Sequence, residues 1–290
     1  MKPFFFFVAL LFSVTQLSAD ENSFRKKEID FIRELFQENR YFDCIAESRK
    51  LQNNQNKPDV DYFIFSNYYL AGQYASVIIN YSTDQASTEM KFPSTLLLSY
   101  SYLKTGYYKK SYELLKNLDY TSLQEKYIFT MFLRRVEPLL LSGETEKIQE
   151  EIGSSKLFLK DSYNFIKLRE ELQLYAKEGL KSPTYAAMMS TLLPGLGQCY
   201  SGYPGEGLIS LLAVAATAGG GFYMRDKGHR GISYTMFFFS GLFYTGNIYG
   251  GYKSAEYKNS ETLLNRHKNI TGKYGSYNPA EYIDMESIFH

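Results

Sequence analysis

Residues 58–80 read PDVDYFIFSNYYLAGQYASVIIN, two apolar runs separated by the turn Gly72-Gln73-Tyr74. Turns of the same kind begin at Asn39, Gly106 and Gly143, so the four starts lie 33, 34 and 37 residues apart. Glycine and asparagine accept the left-handed backbone that follows the C-terminus of a helix. A period of this length, with such a turn in each unit, predicts a series of stacked helical hairpins.

The residues around each turn follow helical spacing. Apolar or aromatic residues precede the turn residue by four and by eight positions, and a compact or β-branched residue follows it by five. Each helix then carries one apolar stripe, and a hairpin cannot bury its stripe without a neighbour. These positions hold Phe31, Ile64 and Leu98, then Leu35, Tyr68, Tyr102 and Leu139, and after the turn Cys44, Val77, Ser111 and Ile148.

From Phe24 to Ile152 the sequence resembles tetratricopeptide repeats, whose helical hairpins recur every 34 residues. Pro138 falls inside the first helix of the fourth unit and is expected to kink or shorten it. A further helix, from Ser162 to Glu178, is expected to cap the stack. The chain departs from the family where larger or polar residues replace the usual small residue of the first helix, at Ile32, Phe65 and Ser99.

The resemblance implies a superhelical scaffold whose concave groove binds a peptide or a segment of a partner protein. The family's groove positions lie on the first helix of each unit. Tyrosine suits such a surface because it combines a rigid apolar ring with a polar tip. Alternatively, these tyrosines only fill the core or surface of a chain with 27 Tyr. The groove positions map onto Arg33, Gln37, Tyr62, Ser66, Tyr69, Tyr100 and Lys104.

The first residues, Met1 to Ala19, have the pattern of a secretory signal peptide: a basic Lys2, an apolar run and a small residue before Asp20. Export of a mature chain beginning near Asp20 is therefore expected, and an uncleaved anchor is the alternative. In an oxidising compartment Cys44 is expected to pack as a small buried residue. We do not expect it to pair with Cys199, which lies in a different part of the chain.

Two uncharged runs follow the repeats, Gly207–Met224 and Gly231–Tyr252, separated by the basic loop Arg225–Arg230. Their length and the short polar loop predict a transmembrane helical hairpin. A buried hairpin in a soluble domain is the alternative. With a signal peptide the repeats lie outside, the basic loop lies in the cytoplasm as the positive-inside rule favours, and the tail from Lys253 returns outside.

The segment LLPGLGQCY, residues 192–200, precedes the first run. Proline and glycine break a helix here, so the segment is expected to lie in the membrane interface or to be re-entrant, and a buried glutamine would need a partner. A third span remains an alternative. The stretch resembles an LPGLGQ-x-Y-x-G element that opens small two-span domains of bacterial envelope proteins, some fused to helical repeats. The matching residues are Pro194, Gly195, Gly197, Gln198 and Tyr200.

Composition argues against several kinds of chemistry. Lys+Arg is 32 and Asp+Glu is 31, so the net charge of +1 gives no case for nucleic acid. Two Cys and three His give no metal-site pattern. Nucleotide-binding and hydrolase motifs do not occur, so no cofactor and no catalytic residue is predicted. Of the function classes, an envelope enzyme is therefore the weakest.

The sequence as a whole predicts an all-α protein, a helical-hairpin solenoid followed by a transmembrane hairpin. The predicted segments are a signal peptide at 1–19, repeats at 20–180, a membrane domain at 181–252 and a polar tail at 253–290. The expected function is a non-enzymatic scaffold of the bacterial inner membrane, with the repeats in the periplasm. In the second hypothesis the membrane hairpin is the active part, as an oligomeric pore or an aid to membrane-protein insertion, and the repeats dock partners.

Overall fold

The structure, a computed structural model, describes residues 26–52, 58–83, 90–118, 125–159 and 162–284. The predicted signal peptide at 1–19 lies outside these residues. Packing divides the chain into two compact units. Unit 1 holds the described residues up to Pro138 together with those from Ser276 onward, and unit 2 is Leu139–Gly275.

The described residues are all-α, without a strand, as predicted. The described residues of unit 1 form a series of helices, an arrangement compatible with a helical repeat solenoid. The last of them, α7, continues through Pro138 to Ser142, so this proline does not shorten the helix. The helices are α1 (26–37), α2 (Tyr41–Gln52), α3 (Pro58–Leu70), α4 (Tyr74–Asn80), α5 (Lys91–Lys104), α6 (Tyr108–Lys116) and α7 (Glu125–Ser142).

The four predicted turn residues all have positive φ, which confirms the left-handed turns. The angles are 58° at Asn39, 76° at Gly72, 83° at Gly106 and 74° at Gly143. At each turn an amide bonds back to a carbonyl of the preceding helix, as in Gln73 N–H to Tyr68 O at 2.8 Å. These bonds satisfy carbonyls that the helix end leaves without partners.

The compact residues five positions after each turn are buried, also as predicted. The Ser99 and Ser111 hydroxyls lie 2.8 Å apart and join α5 to α6. Cys44 is fully buried and unpaired, and burial raises the pKa of its thiol to about 11. The expectation for Phe31 is wrong, since its side chain is 46% exposed.

Unit 2 begins with the end of α7 and contains helices of very different lengths. The longest, α13, has 45 residues and is therefore about 68 Å long. It packs along α12 as a helical hairpin and also contacts α10 and α11. The helices are α8 (Thr145–Leu159), α9 (Tyr163–Glu178, near the predicted cap), α10 (Pro183–Leu192), α11 (Leu196–Tyr200), α12 (Pro204–Asp226) and α13 (Arg230–Tyr274).

The polar second half of α13 is bonded to α9 and to the linker after it. The buried Arg266 pairs with Glu178 at 3.1 Å and lies 4.9 Å from the centre of the Tyr175 ring. The side-chain amide of Asn259 bonds both the N–H and the carbonyl of Lys181, at 2.7 and 2.8 Å. Contacts spread along the helix in this way fix α9 and α13 to each other.

One helix among the described residues is long and apolar enough to cross a membrane. It is α12, with an 18-residue window of mean hydropathy 1.5 of which only 11% is buried. The second predicted run lies in the first half of α13. Large apolar side chains are exposed on both helices, including Ile209, Leu212, Phe238 and Leu242. Such exposure is unusual for the surface of a soluble monomer and typical of a surface that contacts lipid or another protein.

The turn geometry predicts opposite effects for two glycine substitutions. Gly106→Ala should lower the free energy of unfolding by about 1 kcal/mol, because alanine is strained at positive φ although the space is open. Gly153→Ala, inside α8 and equally open, should instead stabilise by about 0.5–1 kcal/mol. Thermal unfolding of the full chain in detergent measures both. Equal effects would contradict the role assigned to the turn.

Candidate functional site

The segment after α13 belongs to unit 1 and lies against α3 and α5. Gly275 ends α13 with φ 93° and ψ 140°, which turns the backbone out of the helix. Asn278 then accepts the Ala280 N–H at 3.1 Å and begins a short 3₁₀ helix, Pro279–Tyr282. The side-chain cap and the proline at the first position explain why a helical turn forms here. We call residues 276–283 the tail segment.

The ring of Tyr277 is the best-packed part of the tail segment. It stacks on Tyr100 of α5 with ring centres 4.2 Å apart and an interplanar angle of 23°. Tyr69 of α3 meets it edge-on at 5.6 Å and 82°. Beside this pair the Tyr62 hydroxyl donates to the Pro279 carbonyl at 3.2 Å. Three tyrosines of α3 and α5 therefore hold the Tyr277 ring and the Pro279 carbonyl. Each aromatic pair contributes about 0.5–1.5 kcal/mol.

Two more side chains anchor the end of the tail segment. Tyr282 lies edge-on to Phe92 of α5, with ring centres 6.0 Å apart. Ile283 packs on the hydrophobic cluster that α1, α2 and α3 form around Ile32, Leu35 and Phe63. The tail segment therefore contacts α5 and also the hydrophobic cluster that α1, α2 and α3 share.

A buried ion pair lies behind the groove. Arg134 and Glu137 of α7 are 2.6 Å apart and almost fully buried, and the Arg134 guanidinium lies 5.6 Å from the centre of the Tyr100 ring. Burial raises the pKa of Tyr62, Tyr69, Tyr100 and Tyr277 above the ordinary tyrosine value. Burial therefore keeps these four side chains uncharged to a higher pH than a free tyrosine.

The predicted groove residues divide into two groups. Tyr62, Tyr69 and Tyr100 come together on the tail segment, and Ser66 is fully buried on the same helix α3. Arg33 pairs with Asp30 at 2.9 Å, while Gln37 and Lys104 are exposed. Sequence reasoning missed the tail residues Tyr277, Pro279, Tyr282 and Ile283, together with Phe92, Arg134 and Glu137.

The LPGLGQ segment is held by a separate network of buried amides. Gln198 accepts from the Ser190 hydroxyl and donates to the Asn247 carbonyl, both at 3.2 Å. Asn247 accepts the Gly195 N–H at 2.7 Å and donates to the Ser190 carbonyl at 3.0 Å. The prediction that Gln198 needs a buried partner is thus confirmed, and Asn247 of α13 is the partner that the sequence did not identify.

Glycines let α10, α11, α12 and α13 approach at backbone distance. A Cβ on Gly195, which has φ 91°, would overlap the Gly207 carbonyl, and one on Gly197 would overlap the Ala186 carbonyl. After the Pro194 turn, the chain forms α11, at whose end the Tyr200 hydroxyl accepts the Ser182 N–H at 3.2 Å. The motif residues therefore fix the packing of α10, α11, α12 and α13.

A cleft of about 520 Å³ opens between α12 and α13 beside this network. Its walls combine the amides of Gln198 and Asn247 with Glu206, Lys253 and the apolar side chains of Ile209 and Phe243. Within the described ranges no three His, Cys, Asp or Glu side chains gather as metal ligands. Comparisons with protein-family models, with curated proteins and with solved structures found no match to this chain.

The glycine contacts predict a selective loss of stability. Gly197→Ala should destabilise unit 2 by more than about 2 kcal/mol, because the new methyl group meets the backbone carbonyl of Ala186 as well as the Ser190 hydroxyl. Gly205→Ala, in the first turn of α12 with open space around it, is the matched control and should be neutral. Thermal unfolding in detergent compares them, and similar midpoints would contradict the close packing.

The buried tyrosines predict a loss of stability in alkali. A free tyrosine ionises near pH 10, whereas the groove holds its tyrosines neutral, so their contribution is complete below about pH 10 and is lost as the pH rises. The thermal midpoint should therefore fall above about pH 10. Tyr277→Phe keeps the ring, removes the ionisable group and should reduce that fall. Tyr107→Phe, at an exposed ring, should leave the fall unchanged; if it acts like Tyr277→Phe, the assignment to the groove is wrong.

Proposed function

We propose that this protein is a non-enzymatic scaffold, anchored in the bacterial inner membrane, whose tetratricopeptide-like groove binds a short segment of a partner protein. The observation that carries the proposal is the tail segment itself, which Tyr62, Tyr69 and Tyr100 hold as a peptide. The turns at intervals of 33 to 37 residues, all left-handed, support the family likeness. Groove binding of this kind uses preformed helices to recognise an otherwise unstructured segment.

The tail contacts also support a two-span anchor. Because the tail segment lies on α3 and α5, both must be on the same side of any membrane. The chain between Pro138 and Ser276 then crosses an even number of times. With α12 as one span, the apolar first half of α13 supplies the return, since 22 residues from Gly231 to Tyr252 extend about 33 Å. A third span around residues 183–200 would put the tail segment on the opposite side of the membrane from α3 and α5, which it contacts.

The orientation rests on the sequence. A signal peptide at 1–19 would place the repeats and the tail in the periplasm. The basic loop Arg225–Arg230 would then face the cytoplasm, where short loops rich in Lys and Arg are found. In this arrangement, lipid surrounds the exposed apolar residues of α12 and α13.

Cysteine labelling of the full chain tests this topology. A Cys199→Ser background should receive Lys177→Cys, Lys227→Cys or Lys268→Cys, all at exposed positions, while the buried Cys44 stays. An impermeant maleimide should label positions 177 and 268 with the inner membrane intact, and position 227 only after that membrane is permeabilised. Different accessibility of 177 and 268 would contradict an even number of crossings.

Photo-crosslinking in cells tests the groove. A photoreactive residue at the exposed positions Gln37 or Lys104 should form an adduct with a partner, and one at Glu150, outside the groove, should not. Tyr69→Ala combined with Tyr100→Ala should remove the adduct, because the two rings supply the aromatic contacts. Tyr107→Ala is the matched control. Adducts that survive the double substitution would remove the groove assignment.

The second candidate makes the membrane hairpin the active part, as an oligomeric pore or an aid to membrane-protein insertion. The cleft between α12 and α13 favours it, since polar side chains line a space that otherwise faces apolar surroundings. Gln198→Ala, with the repeats intact, would then impair conductance or insertion. A normal result with that variant, together with groove crosslinks, would favour the scaffold.

A further inference from the structure

We propose that residues 276–283 are a built-in ligand of the groove, and that the partner presents a segment of the same chemistry. The shared pattern is an aromatic residue, a proline two positions later, and an aromatic–aliphatic pair five and six positions after the first. In this chain these anchors are Tyr277, Pro279, Tyr282 and Ile283. The proposal rests on the scaffold function above and names the class of peptide that the groove accepts.

Burial along the tail segment separates anchors from spacers. Tyr277 and Pro279 are buried, whereas Asn278 and Glu281 are exposed. The groove therefore recognises the side chains at the four anchor positions and the Pro279 carbonyl, to which Tyr62 donates. Any segment with the same anchors at the same spacing can make these contacts, because the exposed spacer side chains do not face the helices.

Three amides of the tail segment bond within the segment. The Ala280 amide bonds the Asn278 side chain, the Glu281 amide bonds the Asn278 carbonyl at 3.2 Å, and the Ile283 amide bonds the Ala280 carbonyl at 3.2 Å. These bonds are local and re-form transiently after the segment leaves the groove, but outside the groove such a short segment exchanges its amide protons with solvent. The cost of leaving lies in the anchor contacts, which a competing peptide replaces one for one.

The helices beneath it carry packing of their own. α5 is joined to α6 by Ser99 and Ser111, and the cluster of α1–α3 includes Ile32 and Cys44, whose thiol lies 3.8 Å from the Ile32 carbonyl. A repeat core that packs between its own helices can keep its form while the tail is displaced. The tail segment therefore lies on the repeat helices in the way that a bound ligand would.

Tethering makes this ligand a strong competitor. A segment joined to the chain at Gly275 binds intramolecularly, so its effective concentration does not depend on the amount of free partner. A partner binds only the fraction of grooves that the tail leaves free, and its apparent affinity is reduced accordingly. The groove is therefore closed by default, and a partner opens it by binding more tightly, by binding at several sites or by being in large excess.

A peptide of residues 276–284, SYNPAEYID, labelled with fluorescein, tests the proposal on the full chain in detergent micelles. Tyr277→Ala should bind it at least tenfold more tightly than the unmodified chain, because its own tail no longer fills the groove. Adding Tyr100→Ala should weaken binding at least tenfold. Glu281→Ala, at an exposed spacer, is the matched control and should bind like the unmodified chain. Equal binding by the unmodified chain and Tyr277→Ala, or binding by neither, overturns the proposal.

Hydrogen exchange on the unmodified chain is an independent test, because it needs no substitution that could also disturb folding. An isotopically heavy form of the same peptide, added in excess, should increase exchange at Ala280 and Ile283 of the chain's own tail and leave α12 unchanged. Unchanged protection of the tail at saturating peptide overturns the proposal.

The two proposals fail in different ways. Adducts at Gln37 or Lys104 that need Tyr69 and Tyr100, without peptide binding, support the scaffold and overturn this ligand class. Peptide binding that follows the expected pattern, without any such adduct in cells, supports the built-in ligand and counts against a partner in the groove.

Discussion

The hydrogen bond from Tyr62 to Pro279, with the stacking of Tyr277 on Tyr100, joins residues up to 217 positions apart. The chain between these residues must therefore return to the helices of unit 1. In the proposed membrane arrangement, that return requires an even number of crossings and gives the apolar half of α13 its role as a return span. In the proposed groove, the tail segment is an example of what fits.

A second set of contacts fixes the packing of α10, α11 and α13. The helix breaks at Pro194 and Gly195, and the Asn247 side chain accepts the Gly195 N–H and donates to the Ser190 carbonyl. The Gln198 amide in turn donates to the Asn247 carbonyl. Buried polar groups are costly unless they are paired. The glycines at 195, 197 and 207 let the helices come close enough for those bonds to form. The motif thus combines a break in the helix with the residues that satisfy it.

The sequence predicted what local chemistry determines. The positive φ at Asn39, Gly72, Gly106 and Gly143 follows from the turn residues themselves, and the burial of Val77 or Ser111 from helical spacing. The exposure of Phe31 was not predicted, because the width of the buried face of a helix depends on which neighbours pack against it. Tyr277 and Asn247 were missed because their partners are distant in sequence, and no local pattern marks them. The Tyr, Ser, Gly and Asn residues of α13 lower its mean hydropathy, which explains why α12 is the one helix of the described residues that is apolar enough to span.

The length of α13 has a mechanical consequence. The helix is continuous from Arg230 to Tyr274, so its proposed membrane-spanning half and its polar half have no hinge between them. Its bonds from Asn259 to Lys181 and from Arg266 to Glu178 attach α9 to that polar half. A spanning helix adjusts its tilt when the thickness of the surrounding bilayer changes. In the proposed placement such a tilt moves α9 with α13 as one lever, which makes the position of this helix sensitive to the lipid composition around the anchor.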